Sequence, residues 1–133
     1  MSADRPPQSA QSPTPSESSP IGQAMLDNGL IALWEEDHRQ PLVAIEARIT
    51  GGLRGEGGWV GSGITHFIEH MLFKGTTSRP PGVIDHEVRR YGGTINAFTS
   101  HDFTGISLFV ESRFLPEALG LLADILQHAT FPD

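Results

Sequence analysis

No cysteine occurs among the 133 residues. That excludes disulfide staples, thiolate metal sites and a cysteine nucleophile, and it fits a reducing compartment. Also missing is any apolar run of about 18 residues, the length a membrane-spanning helix needs. The N-terminus lacks the apolar core of a secretory signal, so the expectation is a cytoplasmic protein with no membrane span. Basic residues are few: nine Lys and Arg stand against sixteen Asp and Glu, for a formal charge of −7. They are scattered rather than clustered, which argues against nucleic acid as a partner. The first twenty residues contain no Ile, Leu, Val, Phe, Trp or Tyr, but six Ser and five Pro. Such a stretch buries too little apolar surface to offset chain entropy, so residues 1–20 read as a disordered tail and residues 21–133 as the folding domain.

Beyond the tail the pattern alternates between strand and helix periods. Residues 21–26 and 30–34 read as two short strands around Asp27-Asn28-Gly29, a hairpin signal because Asn and Gly both tolerate positive φ. In the next segment Val43, Ile45, Ala47 and Ile49 alternate with Ala44, Glu46 and Arg48, the period of a half-buried strand. Seven glycines fall within residues 51–63. They predict a loop that is mobile or brings backbone close to another group. Ser62 is the expected N-cap of a helix over residues 64–73, with an apolar stripe of Ile64, Phe67, Ile68, Met71 and Leu72 facing the core. A second helix is expected from Pro80-Pro81 to residue 91, with Ile84, Val88 and Tyr91 inward. Residues 94–99 and 103–110 read as a hairpin. The third helix, over residues 114–127, has a stripe of Leu115, Ala118, Leu119, Leu122 and Leu126. This order predicts an α+β fold, an antiparallel or mixed sheet with helices packed on one face.

The chemistry is concentrated in His66-Phe67-Ile68-Glu69-His70. On a helical wheel of about 100° per residue, His66, Glu69 and His70 fall near 200°, 140° and 240° from Ile64, opposite the apolar stripe. Two His at i and i+4 project from one helical face close enough to share one zinc ion. Glu69 lies beside both without pointing along the same line, which suits a general base rather than a ligand. Two surface histidines and a solvated glutamate are the plainer alternative. His38, His86, His101 and His128 have no ligand spacing to one another and read as solvated residues.

The segment Gly63-Ile64-Thr65-His66-Phe67-Ile68-Glu69-His70-Met71-Leu72-Phe73-Lys74-Gly75-Thr76 resembles the insulinase and pitrilysin family of zinc metallopeptidases, the inverzincins with an H-x-x-E-H motif. Leu26-Asp27-Asn28-Gly29-Leu30 and Gly92-Gly93-Thr94-Ile95-Asn96-Ala97-Phe98-Thr99 resemble two further blocks of that family. The resemblance implies that residues 21–133 form the first part of an insulinase or processing-peptidase-like half-domain. His66 and His70 are then ligands of one Zn2+, and Glu69 is the catalytic base of a zinc endopeptidase. It places Asn96, Ala97 and Phe98 on a substrate-binding strand that pairs with a peptide or protein substrate. It also implies a third zinc ligand, a glutamate, beyond Asp133, and a homologous subunit as a partner that completes the chamber. Glu111 and Glu117 are the nearest substitutes for that ligand within the chain. Two alternatives stay open: a non-catalytic peptide-binding or partner subunit of the same fold, and a gene fragment without activity of its own. One departure stands out: the family usually has an aromatic where this chain has Ile106, which concerns packing or a substrate contact.

Overall fold

The computed structural model describes residues 20–131. The tail expected over residues 1–20 lies outside the described residues except for Pro20. Two compact units divide the chain after Gln40.

Within the first unit, β1 (Gly22–Met25) and β2 (Ile31–Trp34) form the expected antiparallel hairpin. Its turn differs in detail from the expected one. Gly29 has φ +84°, whereas no residue other than glycine has positive φ among the described residues. The Gly29 amide donates to the Leu26 carbonyl at 2.9 Å, and the Leu26 amide donates to Leu30 at 2.8 Å. This is a three-residue loop in which glycine alone takes the left-handed position.

The second unit is a three-stranded antiparallel sheet in the order β3 (Leu42–Thr50), β5 (Phe103–Glu111), β4 (Thr94–Thr99). Three helices accompany it: α1 (Ile64–Met71), α2 (Val83–Arg90) and α3 (Leu115–His128). The α+β fold read from the sequence is thus observed, with a fully antiparallel sheet. None of these helices is long and apolar enough to cross a membrane.

Side-chain alternation divides the sheet into two faces. One face carries Ile95, Ala97, Ile106, Leu108 and Val110, which meet Ile84, Val88, Ala118, Leu121, Leu122 and Ile125 in the core. Ile106, at the position of the family's usual aromatic, is fully buried there, opposite Ala47 and Ala97. Its role is packing. The other face bears Ala44, Glu46, Thr94, Asn96, Ser107 and Phe109 around a shallow hollow of about 420 Å³.

The inward stripe of α3 is rotated from the expected one. Ala118, Leu121, Leu122 and Ile125 are buried, while Leu115, Leu119 and Leu126 are exposed. Apolar residues cover most of this helix, so a wheel admits several stripes, and contact with β5 selects one. The α2 stripe is as expected: Ile84 and Val88 are buried, and the Tyr91 ring lies 5.2 Å from that of Phe114.

A polar knot ties the chain leaving α1 to α3. The Asp124 carboxylate accepts from Thr76 Oγ1 at 2.5 Å, Ser78 Oγ at 2.9 Å, Arg79 at 2.6 Å and His128 Nδ1 at 3.1 Å. His128 therefore has a structural partner rather than being merely solvated. The Thr76 hydroxyl, followed by Arg79, Ser78 and His128, holds the Asp124 carboxyl well below the usual carboxylate range.

Two outcomes follow for stability. Leu121→Ala should cost about 2–5 kcal/mol in denaturant unfolding, as core truncations do. Leu119→Ala should cost about 0.5 kcal/mol or less, as at exposed sites; equal costs would refute the rotated stripe. Asp124 binds a proton more readily when unfolded, so its stabilisation is complete above the unfolded pKa of about 4 and is lost as pH falls below it. An Asp124→Asn variant should therefore be less stable near neutrality and show a shallower loss of stability on acidification below about pH 4, followed by thermal unfolding at successive pH values.

Candidate metal centre

Helix α1 is mounted by contacts the wheel does not show. Its N-cap is Gly63, in the left-handed region at φ +81°, not Ser62. Ser62 Oγ accepts only a long bond of 3.4 Å from the Ile64 amide. Glu56 supplies the acceptors instead: its carboxylate takes the Thr65 amide at 2.9 Å and the Gly61 amide at 3.0 Å. A carboxylate at a helix N-terminus satisfies orphan amides and complements the helix dipole. The same bonds, that from the Thr65 amide foremost, lower the Glu56 pKa.

Glu56 lies in the glycine-rich segment, which forms 3₁₀ turns over Gly52–Trp59 rather than an open loop. That segment is seated on the turn between β4 and β5: Gly51, Leu53 and Arg54 amides donate to the carbonyls of Asp102, Ser100 and His101 at 2.9, 3.1 and 3.0 Å. Gly52 makes this approach possible. Its φ is +47°, and a Cβ there would fall 2.5 Å from both the Phe103 nitrogen and the Ser100 oxygen. Thr65 closes the loop from the helix side, donating to the Gly52 carbonyl at 3.3 Å.

The resulting rotation of α1 corrects the expected one. Ile64, Phe67 and Ile68 are exposed, at 47, 63 and 40%, rather than facing the core. Thr65, Glu69 and Leu72 form the inward edge. Glu69 is 12% exposed and accepts a bond from Thr99 Oγ1 of β4 at 2.6 Å. The three polar residues therefore do not share a solvent face: Glu69 points to the sheet, and the two histidines rim the exposed side.

His66 Nε2 and His70 Nε2 are 3.1 Å apart, with the rings edge-on at 87°. His66 Nδ1 is 3.7 Å from Glu69 Oε2. Two nitrogens bound tetrahedrally to one zinc at about 2.05 Å stand about 3.3 Å apart, so the imidazole pair fits that ion. His66, Glu69 and His70 are the one group of three potential metal donors among the described residues. Glu111 is engaged elsewhere, by Arg113 at 2.8 Å.

The other expected site residues do not converge on the histidines through their side chains. Ala97 is buried in the core. Asn96 and Phe98 pair with Ser107 and Gly105 and lie on the sheet face opposite that of Thr99. Phe98 packs edge-on against Phe103 at 5.8 Å. The strand, however, pairs on one side only, with β5, so its other backbone edge is open among the described residues. Thr99 and Glu56 were not singled out in the sequence. For Thr99 a signal existed: it shares the parity of Ile95 and Ala97, so a hydroxyl sits where a core side chain is expected.

Gly52→Ala should destabilise the fold by more than about 1 kcal/mol, because the side chain meets backbone at a positive φ. Thermal unfolding measures this, and a neutral result would refute the close approach.

Comparison with known proteins places these features in a wider group. The family described as Insulinase (Peptidase family M16) matches residues 31–133. The chain is 36% identical over 110 residues to bovine cytochrome b-c1 complex subunit 1, covering 83% of this chain and 22% of that protein. It is 44% identical over 71 residues to the mitochondrial-processing peptidase subunit beta of Dictyostelium discoideum, covering 53% of this chain and 15% of that one. A protein of Rickettsia felis named as a zinc protease is 40% identical over 108 residues, 81% of this chain and 26% of the other. Among solved structures, a protease from Helicobacter pylori superposes with a TM-score of 0.79 at 28% identity, over 88% of this chain and 28% of that one. The chain thus spans about a quarter or less of the length of these relatives.

Proposed function

Because the chain belongs to the insulinase family, peptidase family M16, we propose that it carries the zinc-holding and proton-transferring part of a metalloendopeptidase active site. The observation that carries this reading is the 3.1 Å separation of the His66 and His70 Nε2 atoms, with the Glu69 carboxylate beside them. Zinc held by the two imidazoles would polarise the scissile carbonyl and acidify a water. Catalytic zinc takes three protein ligands. The described residues supply two, so a glutamate from outside them is the expected third.

Glu69 is the base in this reading. Its carboxylate accepts a proton from the attacking water and returns it to the amine nitrogen that leaves as the peptide bond breaks. The open edge of β4 offers backbone groups to an extended peptide, so residues 96–98 contribute main-chain pairing rather than convergent side chains. Such pairing gives affinity with little dependence on substrate sequence. A peptide or protein is therefore the substrate class. A homologous subunit is the proposed partner, since two of the relatives are themselves named as subunits. One of these is named for a complex rather than a peptidase, which keeps a non-catalytic subunit as the second reading. The complete His66–Glu69–His70 group favours the first.

Glu69→Gln should lower peptide hydrolysis by about 10²–10⁴-fold while one zinc per chain is retained, whereas His66→Ala should lose zinc. Turnover is followed with a quenched fluorescent peptide and metal by calorimetric titration. Full turnover in Glu69→Gln would sink the base assignment, and failure of the wild-type protein to bind zinc even with the segment that bears the third ligand present would favour the non-catalytic reading.

A further inference from the structure

We infer that Thr99 is the positioning residue of Glu69, an inference that rests on the proposed role of Glu69 as base. Its hydroxyl is the only side-chain donor to the Glu69 carboxylate among the described residues, at 2.6 Å from Oε2. A threonine hydroxyl has one hydrogen to give, so this bond commits it to Glu69. The contact joins residues 30 apart in sequence, on two different elements. Glutamate has three rotatable side-chain bonds, and an unanchored carboxylate would sample several rotamers. Anchoring Oε2 on a strand removes that freedom and leaves Oε1 without a protein partner among the described residues, available for proton transfer.

The anchor is itself well held. Thr99 pairs with Thr104 at the closed end of the β4–β5 hairpin. The next residues, Ser100 to Asp102, seat the glycine-rich segment that caps α1. Base, anchor and the mounting of α1 are thus referred to one hairpin end. Among the described residues the Thr99 hydroxyl bonds to Glu69 and the histidine nitrogens bond to each other, so Thr99 sets the base without holding the metal.

The test compares Thr99→Val, which keeps the shape and removes the hydroxyl, with Thr99→Ser, which keeps the hydroxyl, in the full chain. The first readout is the 13C signal of the Glu69 side-chain carboxyl, assigned by its absence in Glu69→Gln and recorded without zinc. It should move in Thr99→Val and stay near the wild-type position in Thr99→Ser. An unmoved signal in Thr99→Val overturns the inference. The second readout is hydrolysis of a fluorescent peptide by the zinc-loaded protein. Here kcat should fall about 10–100-fold in Thr99→Val, with KM and zinc stoichiometry unchanged and with recovery in Thr99→Ser. Wild-type kcat in Thr99→Val alongside an inactive Glu69→Gln overturns positioning and leaves the base reading intact. Equal losses in both Thr99 variants with lowered thermal midpoints overturn it in favour of packing. Full activity in Glu69→Gln defeats the base reading instead, and in that case, as in the absence of wild-type hydrolysis, the carboxyl signal still decides whether Thr99 holds Glu69.

Discussion

The hydrogen bond from Thr99 to Glu69 is the contact on which the arrangement of the site depends. It crosses from the sheet to α1 and turns the polar edge of that helix inward. Three further attachments lie along the same edge: Glu56 on the Thr65 amide, Thr65 on the Gly52 carbonyl, and Leu72 in the core. Together they set the rotation of the helix about its axis. Once that rotation is set, His66 and His70 can only stand at the exposed rim, one turn apart, with their Nε2 atoms close enough for a shared ion.

This mounting has a consequence for surface chemistry. The outward side of α1 carries Ile64, Phe67 and Ile68, and all three are exposed. Apolar residues are not confined to interiors, and a contiguous apolar patch on a helix is a property of surfaces that meet other surfaces. The core beneath the three-stranded sheet is nonetheless well formed, with Ile84, Ile106, Leu121 and Ile125 all fully buried.

Strands were the most legible elements. Period-two alternation in residues 43–49 assigned that strand and the inward side of Val43, Ile45 and Ala47, with Ile49 at its end exposed, because a strand has only two faces to choose between. Helices were legible as elements but not in their rotation. In α3, leucines and isoleucine cover so much of the circumference that the wheel could not select Leu121 and Ile125 over Leu119 and Leu126. In α1 the wheel placed the apolar stripe inward, since it weighs side-chain hydropathy and has no knowledge of what lies opposite. A carboxylate can face a sheet when a hydroxyl waits there, and that partner comes from a residue 30 positions away.

Local spacing determined the chemistry of the donors. Histidines at i and i+4 on a helix must share a side whatever the helix packs against, so the pair His66 and His70 with Glu69 beside it is a property of the chain itself. Which way that group faces, what caps the helix that bears it, and what holds its carboxylate were decided by tertiary structure. Each depends on the β4–β5 hairpin end, where Gly52 admits backbone contact at a distance no side chain tolerates. Contacts between residues distant in the chain form only when the sheet brings them together, so no local pattern in the sequence encodes them.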